Sequence, residues 1–535
     1  MTCMDSRMTS PLAIDADAAY QAVAARDARF DGRLFVGVTS TRIYCRPICR
    51  VRTPMRKNCR FFATPAQAEA AAFRPCLKCR PEVAPGADFA WTVMDASRTL
   101  ARQAADELDT QAASGEAPSL AKLAERLGVS DRHLRRIFQA EHGVTPLQYL
   151  QTRRLLLAKQ LLTDTTLPVS QIALASGFQS LRRFNAAFVE NYRMSPSKLR
   201  GDATDDEAAP RPAIGDDAIR IKLGYRAPYD VDAMLRFLAQ RAIPHVEHVD
   251  ITARHVRRSV RAGTLADAAG WIAVEFDADA PLVHLRFAPA LAAASARVVA
   301  ATRRWLDLDA EPHTIAAALA AIPGAPGLRL PSSVDVFELA VRAVLGQQVT
   351  VAAARTLARR LADRFGEPIA TPWPDEVHHA FPSAETLAAT PIEGIAELGI
   401  IRARAGAIIA IAQGWPAIHA LLTPHARAEP LIEALCALPG IGPWTAHYIA
   451  MRALGWPDAF PPNDVAVLKA MKQLFGTSSQ READVLAMAW QPWRAYAVLR
   501  LWNTLTTSPN AANATNAVKA VKAAKATTTN LERTS

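Results

Sequence analysis

Hydrophobic and polar positions divide the chain into stretches with helical periodicity and stretches with strand periodicity. Apolar residues recur at helical spacing in residues 91–108 and again between residues 119 and 191. Strand patterns occur in three short segments, residues 219–223, 271–276 and 282–287. Beyond residue 290 the pattern is almost wholly helical as far as Thr506. The sequence therefore predicts a multidomain, mainly α-helical protein with a small mixed sheet-and-helix unit near its middle.

Residues 119–191 contain one pattern twice: a short helix, a glycine turn and a second helix. In the first copy Ser119 caps a helix that Gly128 ends, and a second helix follows over about residues 131–141. The second copy begins at Pro168, after a longer apolar helix over residues 146–162. Two packed helices joined by a glycine turn also occur as plain structure in many enzymes. Two copies at this spacing favour a double helix-turn-helix module.

Residues 172–178, together with Phe184, Phe188 and residues 194–196, resemble the AraC-type DNA-binding domain, which would cover about residues 95–200. The resemblance implies that exposed side chains of each half read bases in successive major grooves. Four candidates lie in each half: Arg132, His133, Arg135 and Arg136 in the first, and Gln179, Ser180, Arg182 and Arg183 in the second. We expect about half of the arginines to contact only phosphate.

Four of the seven cysteines form two close pairs, Cys45 with Cys49 and Cys76 with Cys79. Two thiol pairs separated by a loop are typical of a tetrahedral Zn²⁺ site, because each pair supplies one edge of the tetrahedron. Spacing alone favours a purely structural zinc site. Disulfides are the weaker alternative, since nothing in the sequence indicates an oxidising compartment. Cys59 lies in the loop between the pairs and is predicted to be a packed core thiol.

Basic residues crowd the first cysteine pair, and no acidic residue occurs from position 42 to position 60. They are Arg42, Arg46, Arg50, Arg52, Arg56, Lys57 and Arg60. Such a surface attracts phosphates, and Arg46 and Arg50 are the candidates for direct contact. A zinc ion with four thiolates carries a net charge of about minus two and repels DNA. Transfer of an alkyl group onto one sulfur would remove one negative charge, which turns a chemical event into an electrostatic switch for DNA binding.

Residues 44–50 and 73–79 resemble the amino-terminal zinc domain of the Ada family of bacterial adaptive-response proteins, over about residues 15–85. The resemblance implies that Cys45 accepts a methyl group from DNA methylphosphotriesters. It also implies that the zinc ligands are Cys45, Cys49, Cys76 and Cys79. By spacing alone the four thiolates are equivalent, so the choice of Cys45 as acceptor rests on the resemblance.

Composition fits this picture. The chain has 535 residues, is 50% hydrophobic, and carries a formal charge of +11 with a pI of about 9.5. Its length suggests three or four domains, and the charge indicates an acidic partner, for which a membrane surface or a ribosome would serve as well as DNA. The motifs favour DNA. Without a long apolar run or a signal-peptide pattern, we expect a cytoplasmic protein with no membrane partner.

The second half contains a tight turn between helices at Gly440 and Gly442, and an acid follows at Asp464. The glycines allow backbone amides to approach a phosphate, and the next helix offers the positive end of its dipole. A Gly-x-Gly turn alone is often only a connector. With Trp444 and Asp464 at this distance it resembles the helix-hairpin-helix DNA glycosylases, most closely the AlkA-type 3-methyladenine branch, over about residues 218–508.

This second resemblance implies that an alkylated purine is flipped out of the stack and that a carboxylate stabilises the oxocarbenium ion formed at the sugar. Asp464 takes that role beside an attacking water; a helix cap is the competing interpretation and is compatible with it. The base pocket is expected to be lined by Trp444, Tyr448, Trp502 and Phe237. The duplex wedge is assigned to Gln347 and Gln348. Since Trp444 stands where strand-cutting glycosylases carry a lysine, we expect a monofunctional enzyme that leaves an abasic site.

The sequence also departs from both families. Gln348 replaces a leucine at the wedge, and Val465 and Asn503 replace aromatic residues beside the pocket, so the range of bases removed stays open. No Pro-Cys-His-Arg-like stretch occurs, and we therefore expect the methylguanine-repair domain of full Ada proteins to be absent.

The predicted fold is a small zinc-bound α+β domain, an all-α double helix-turn-helix domain, and an α+β (TBP-like) subdomain followed by an all-α helix-hairpin-helix glycosylase core. The predicted boundaries are residues 1–90, 91–201, 218–300 and 301–508, with an acidic linker over residues 202–217 and a disordered tail over residues 509–535.

The predicted function is a monomeric alkylation-damage response protein with two activities. Methyl transfer to Cys45 would switch on transcription with RNA polymerase as partner, and the second half would excise alkylated bases from double-stranded DNA. Two alternatives stay open: a transcriptional regulator with a catalytically silent glycosylase module, and a constitutive glycosylase whose zinc domain is only structural.

Overall fold

A computed structural model describes residues 15–85, 96–114, 119–165, 167–200, 218–422, 427–477 and 479–506. The chain divides into two compact units: Met1–Arg226 with Ala262–Arg303, and Ala227–Arg261 with Arg304–Ser535. The predicted acidic linker and disordered tail lie outside the described residues, as does the start of the helix predicted over residues 91–108.

Helices make up most of the described chain. In order they are α1 Ala16–Ala24, α2 Pro65–Ala70, α3 Ala96–Ser114, α4 Leu120–Arg126, α5 Asp131–His142, α6 Pro146–Asp164, α7 Val169–Ala175, α8 Leu181–Tyr192, α9 Val231–Arg241, α10 Ser295–Trp305, α11 Pro312–Ala318, α12 Val336–Leu345, α13 Val351–Phe365, α14 Ala384–Ala389, α15 Ile392–Ala396, α16 Arg402–Ala420, α17 Ala428–Cys436, α18 Pro443–Ala453, α19 Val465–Phe475, α20 Gln480–Ala487 and α21 Arg494–Thr506. The strands are β1 Phe35–Val38, β2 Ile43–Cys45, β3 Cys59–Phe62, β4 Arg74–Pro75, β5 Ile219–Gly224, β6 Glu247–Asp250, β7 His255–Val260, β8 Gly270–Phe276 and β9 Leu282–Phe287.

The first unit begins with a four-stranded sheet of order β3-β1-β2-β4. Strand β1 is antiparallel to β2 and β3, whereas β2 and β4 are parallel. Alternate residues of β1 face opposite sides, so Phe35 joins an aromatic cluster with Phe62 and Phe73 while Val36 packs among the cysteines. Gly37 of the same strand has no room for a side chain, because a Cβ there would lie within 2.9 Å of both phenylalanine rings.

The next part of the first unit is the predicted double helix-turn-helix module. Helices α4 and α5 form the first copy, α7 and α8 the second, and α6 connects them, two residues longer than the predicted 146–162. Hydroxyl groups cap four of these helices by accepting a backbone N–H in the first turn, at Ser119, Ser130, Thr145 and Ser180. The pattern predicted from serine caps and glycine turns is confirmed.

Strands β5, β9 and β8 complete the first unit as neighbouring antiparallel strands. Their registers pair Ile221 with Leu285 and Val274 with Leu285, which places apolar side chains on one face. All three predicted strands are confirmed, and β9 agrees with its prediction at both ends.

Buried polar contacts join the zinc-binding part of the first unit to the helices that follow it. Lys159 of α6 lies 2.5 Å from Glu82, and each side chain is 1% exposed. Arg80 pairs with Asp164 at 2.7 Å. A buried charge is tolerated only when it is paired, so these ion pairs fix the two parts in one arrangement.

A second polar group links the same two parts through Glu69 of α2. Its Oε1 accepts the hydroxyl of Tyr44 at 3.1 Å and lies 3.5 Å from the hydroxyl of Tyr192 on α8. Tyr44 immediately precedes Cys45, whereas Tyr192 ends the second copy's final helix. One buried carboxyl group therefore touches both the cysteine-bearing strand and a helix of the helix-turn-helix module.

The second unit is mainly helical, as predicted, and its described residues include two hydrophobic cores. One surrounds α12 and α16, and the other surrounds α19 and α21. Residues 247–260 contain two antiparallel strands, β6 and β7, which the sequence analysis did not predict. Their sequence carries charged or histidine side chains at most positions, which hides the strand periodicity. Among the described helices, none combines the length and apolar character needed to cross a bilayer.

The buried carboxyl group of Glu69 gives the first unit a specific pH dependence. Burial raises the pKa of Glu69 from 4.5 to about 8. Between these two values the unfolded chain releases the proton and the folded chain keeps it, so the free energy of unfolding falls as the pH rises. We expect Glu69→Gln to remove this loss of unfolding free energy, because glutamine does not titrate. The loss is on the order of a few kcal/mol at pH 8, since each pKa unit corresponds to about 1.4 kcal/mol.

Thermal unfolding of the full chain from pH 6 to 8.5 checks the expectation. The advantage of the Glu69→Gln chain over the original should grow with pH, whereas Glu125→Gln, at an exposed position of α4, should show no such trend. A constant difference across the range would contradict the assignment of a neutral buried carboxyl group.

Candidate metal centre and nucleic-acid interface

The parallel pairing of β2 and β4 brings the four cysteines together. Ile43 pairs with Arg74 and Tyr44 with Pro75, so Cys45 and Cys76 emerge at the same end of neighbouring strands. Each strand then turns and delivers the second thiol of its pair. The sulfur atoms of Cys45, Cys49, Cys76 and Cys79 all lie within 4.8 Å of one another.

The donor set fits zinc. Hydrogen bonds among the four thiols raise the pKa of Cys45 and Cys79 above the usual value for a thiol and lower the pKa of Cys49 and Cys76 below it. Without a cation the four sulfurs therefore share protons, whereas a divalent ion allows all four to be thiolates. Cys79 is the least buried of the four. Cys59 lies outside the cluster, is buried and points its thiol at the carbonyl of Met55 (3.4 Å), as predicted for a core cysteine.

Of the seven basic residues around the first cysteine pair, five are exposed, Arg56 is partly exposed and one is buried. Arg42, Arg50, Arg52, Lys57 and Arg60 are exposed. Arg46 is 7% exposed, and its guanidinium forms a two-point ion pair with Asp31 and donates to the carbonyl of Cys79 at 3.2 Å. The prediction that Arg46 contacts phosphate is therefore corrected, because its guanidinium is bonded to Asp31 and to the carbonyl of Cys79. Arg50 is exposed and remains available to a ligand.

The reading candidates of the helix-turn-helix module lie on α5, on α8 and in the turn before α8. Arg132, Arg135 and Arg136 are exposed on α5, where His133 holds Arg136 through a contact of 3.1 Å and Asp131 pairs with Arg135 at 3.0 Å. In the second copy the exposed candidates are Gln179, Arg182 and Arg183. The hydroxyl of Ser180 caps α8, so its acceptor capacity is partly used inside the protein.

In the second unit the carboxylate of Asp464 is buried, and both of its oxygens accept hydrogen bonds. Oδ2 accepts the indole N–H of Trp444 at 2.8 Å, and Oδ1 accepts the indole N–H of Trp502 at 3.2 Å. Oδ1 also accepts the backbone N–H of Val467 at 2.8 Å, so Asp464 is the N-cap of α19 as the competing interpretation held. Asn463 directly before it has a φ of 57°, in the left-handed region that asparagine tolerates. These contacts fix the orientation of both carboxylate oxygens.

Three of the predicted pocket residues form one aromatic wall beside Asp464. Trp444 and Tyr448 stack with ring centroids 5.3 Å apart and an interplanar angle of 9°, and Trp502 lies 6.4 Å from Tyr448. Burial alone would raise the pKa of the Tyr448 phenol, but the guanidinium groups of Arg452, Arg241 and Arg342 lower it below its usual range. Arg452 also donates to the phenol oxygen at 2.8 Å.

Phe237, the fourth predicted pocket residue, already contacts two cations. The guanidinium carbons of Arg241 and Arg452 lie 3.8 and 4.9 Å from the centre of its ring. Because these contacts use the face of the ring, Phe237 positions the two arginines more directly than it offers a free surface to a base. Sequence reasoning missed both arginines, since they lie on α9 and α18, far apart in the chain.

The two glutamines assigned to the wedge have different surroundings. The side-chain N–H of Gln347 donates to the carbonyl of Gly440 at 3.0 Å and contacts the hydroxyl of Thr445 at 3.1 Å, so it braces the glycine turn. Gln348 is exposed and has a φ of 53°, a left-handed conformation that is strained for this residue type. Gly440 and Gly442 are themselves exposed, and a side chain at Gly442 would meet only open space.

Four family models match the chain in succession. They are described as the metal binding domain of Ada (residues 18–82), a helix-turn-helix domain (residues 123–202), the AlkA N-terminal domain (residues 220–335), and the HhH-GPD superfamily of base excision DNA repair proteins (residues 341–495). The predicted boundary at residue 300 falls inside the third match.

One relative matches the chain along almost its whole length, and others match one half of it. The probable bifunctional transcriptional activator/DNA repair enzyme AlkA of Mycobacterium tuberculosis is 36% identical over 502 residues, which are 92% of this chain and 97% of the relative. The chain belongs to this family. DNA-3-methyladenine glycosylase 2 of Escherichia coli is 34% identical over 289 residues, 54% of this chain and 98% of that protein. The solved 3-methyladenine DNA glycosylase of Archaeoglobus fulgidus is 20% identical, covers 53% of this chain and 96% of its own, and has a TM-score of 0.44.

Membership of the bifunctional activator/repair family accounts for the two kinds of site. The metal centre and helix-turn-helix module lie in the first unit, and the Asp464 site lies in the second. Double-stranded DNA is the partner of both halves of this family member, and Zn²⁺ is the metal of its four-cysteine centre.

Val465 stands where the sequence resemblance led us to expect an aromatic residue. It is 80% exposed at the start of α19.

The metal centre makes a direct prediction. We expect Cys76→Ser to lose one equivalent of zinc relative to the original chain, because one of four ligands is removed, and to lower the melting temperature of the first unit. Metal analysis after dialysis, together with thermal unfolding, measures both effects. Cys59→Ser is the matched control, a buried cysteine of the same sheet, and should keep the zinc. Equal zinc loss in both variants would contradict the ligand set.

Proposed function

We propose that this protein is an alkylation-damage response protein in which one half senses methylated DNA and activates transcription while the other half excises alkylated bases such as 3-methyladenine. The observation that carries the proposal is the carboxylate of Asp464, buried against an aromatic wall and oriented by two indole N–H groups and a helix N-terminus. Structural carboxylates cap many helices, but two tryptophans that point their only polar atoms at one carboxylate mark it as a site for a cation.

The proposed excision follows from that geometry. A flipped methylpurine carries positive charge, and the faces of Trp444, Tyr448 and Trp502 attract it. The bond between the sugar C1′ and the base nitrogen breaks, and its electron pair leaves with the base. The carboxylate of Asp464 faces the positive charge that develops on the sugar, in a site with little water to screen it. A water molecule then adds to C1′ and loses a proton, which leaves an abasic site.

The finer enzymatic assignment concerns the fate of the DNA strand. Strand cleavage through a Schiff base requires a lysine amine beside C1′. Trp444 occupies the hairpin position in question, and its indole is hydrogen-bonded to Asp464. We therefore assign base removal without strand cleavage to this chain.

The sensing step is proposed for the zinc centre, with Cys45 as acceptor. When bound, zinc keeps the four cysteines as thiolates. The Cys45 sulfur forms a bond to the methyl carbon of a phosphotriester, the bond between that carbon and the phosphate oxygen breaks, and the phosphate leaves as a diester anion. The cluster loses one negative charge. Repulsion from DNA then falls while the exposed Arg42, Arg50 and Arg60 continue to attract phosphate.

The transcriptional output is proposed to run through the buried contacts of the first unit. Glu69 touches Tyr44 beside Cys45 and lies 3.5 Å from Tyr192 of α8, so tighter binding of the zinc-bearing part to DNA fixes the placement of the reading helices. With α5 and α8 in successive major grooves, the chain would act as a monomer and present its remaining surface to RNA polymerase.

One labelling experiment tests both activities. Full-length protein is incubated with duplex DNA that carries radioactive methyl groups, and the label is divided into protein-bound and free-base fractions. We expect both fractions to be populated. Asp464→Asn should lower the rate of base release by at least about 100-fold while leaving the protein-bound label unchanged. Cys45→Ala should abolish the protein-bound label and spare base release, with Cys59→Ala as the unchanged control.

The two halves of the proposal can be refuted independently of each other. Label on protein with no free base, in a chain that melts cooperatively, would leave a regulator with a silent glycosylase module. Free base with no labelled protein would leave a repair enzyme with a structural zinc site. Peptide mapping that placed the methyl group on Cys79, the least buried of the four thiols, would overturn the choice of Cys45.

The wedge assignment to Gln348 generates a separate prediction. Glycine adopts a φ of 53° without strain, so Gln348→Gly should leave stability unchanged or raise it by up to about 1 kcal/mol. Affinity for duplex DNA with an abasic site should fall several-fold, because no side chain fills the gap. Gln347→Gly is the comparison, and should lower stability by removing the brace on Gly440. Undiminished DNA affinity of the Gln348→Gly chain would show that Gln348 is not the wedge.

A further inference from the structure

Three of the chain's 12 histidines lie close together in the second unit, far along the sequence from the cysteines. His245 lies between α9 and β6, and His378 and His379 lie between α13 and α14. The backbone carbonyl of His245 accepts the amide of His378 at 2.9 Å and that of His379 at 3.0 Å. His245 also forms an isolated parallel bridge with Val377. The main chain therefore holds three imidazole side chains against one another.

The three rings are close enough to share a ligand. Ring centroids lie 4.5 Å apart for His245 and His378, 4.7 Å for His378 and His379, and 6.3 Å for His245 and His379. One nitrogen from each ring lies within 4.8 Å of the others. In a tetrahedral zinc site with Zn–N bonds of about 2.0 Å, two ligand nitrogens are about 3.3 Å apart. Since the three side chains are half-buried, modest rotations close that difference.

The hydrogen bonds around the rings leave nitrogens open to a metal. Nδ1 of His245 lies 2.9 Å from a carboxylate oxygen of Asp363 on α13, so Nε2 is its remaining nitrogen. A carboxylate behind a histidine is the arrangement that orients metal-binding imidazoles in proteins. Nδ1 of His378 and Nδ1 of His379 are buried and have no hydrogen-bond partner among the described residues. A buried nitrogen without a partner costs free energy, and a metal ion would satisfy it.

The backbone at His245 supports a function for this cluster. Its φ is 71°, in the left-handed region that non-glycine residues rarely occupy. Such strain persists where the surrounding contacts impose it, and it concentrates at binding sites. Simple packing of three neutral imidazoles would account for the ring contacts. It explains neither the left-handed backbone of His245 nor the carboxylate of Asp363 at its Nδ1.

We propose that His245, His378 and His379 form a second metal site that takes a borderline divalent transition ion, with Zn²⁺ as the physiological occupant. Three imidazole nitrogens favour Zn²⁺, Co²⁺, Ni²⁺ or Cu²⁺ over Mg²⁺ and Ca²⁺, which prefer oxygen. The fourth position falls to water, because Asp363 is hydrogen-bonded to Nδ1 of His245 and therefore lies behind that ring. An ion at this point fastens the segment between α13 and α14 to the residue that leads into β6, and such a clip stabilises by closing a long loop.

Metal stoichiometry of the full chain tests the proposal. After metal removal under reducing conditions and equilibrium dialysis against Zn²⁺, the original chain should hold two equivalents and the double variant His378→Asn with His379→Asn should hold one. His245→Asn should also hold one, and is expected to fold because asparagine accepts the left-handed conformation. His313→Asn, at an exposed histidine of α11, is the matched control and should hold two.

Cobalt distinguishes the two sites by spectroscopy. Co²⁺ bound to the four cysteines gives intense sulfur-to-metal charge-transfer bands, whereas Co²⁺ bound to nitrogen gives only weak ligand-field bands. The histidine variants should lose the weak ligand-field bands and keep the charge-transfer bands. Cys76→Ser should lose the charge-transfer bands and keep the weak ligand-field bands. Equal metal content in the original chain and the histidine variants, with unchanged cobalt spectra, would overturn the proposal. Base release and methyl transfer do not enter this test, so its outcome is independent of the proposed function.

Discussion

The carboxylate of Asp464 is the point on which the second unit is assembled. It accepts one N–H from the backbone of α19, one from Trp444 on α18 and one from Trp502 on α21. A buried carboxylate without these donors would be costly, so the three helices are held at the distances their hydrogen bonds require. The aromatic wall lies beside this carboxylate because Trp444 and Trp502 belong to the wall and donate to Asp464. The same three hydrogen bonds therefore fix both the orientation of the carboxylate and the packing of the three helices.

The first unit follows a comparable rule with cysteine and arginine. Parallel pairing of β2 with β4 sets the thiols side by side, and Arg46 packs beneath them with Asp31 as its counterion. The remaining basic side chains stay at the surface, two of them stacked near the ring of Phe73. Arg46 is thus held in the interior by Asp31 and by the carbonyl of Cys79, whereas the other basic side chains remain available at the surface.

Much of the architecture was readable from the sequence because local signals were strong. A serine cap and glycine turns located the helix-turn-helix copies, and cysteine spacing located the metal centre. Strands β6 and β7 were missed because polar side chains cover the alternation. The burial of Arg46 depends on Asp31 fifteen positions away, and a run of basic residues gives no indication of which one has a buried partner. The different roles of Gln347 and Gln348 follow from one left-handed φ angle that sequence does not encode visibly.

The indole bonds to Asp464 illustrate the same limit, since Trp502 is 38 positions away in the chain. Aromatic residues at helical spacing predict a core equally well, and only the fold shows that these two point a nitrogen at one carboxylate. The histidine cluster was invisible for a related reason: its members come from two distant segments that a single backbone carbonyl joins.

The ion pair between Glu82 and Lys159 has a consequence for how such a chain could be put together from parts. Both side chains are 1% exposed and lie on opposite sides of the boundary between the zinc-binding part and the helix-turn-helix part. A gene fusion that brought a new sensor to this helical module without a matching acid would enclose a lone ammonium group in the interior. Recombination between the two modules is therefore constrained by their complementary buried charges, which include Arg80 with Asp164 as well as Glu82 with Lys159.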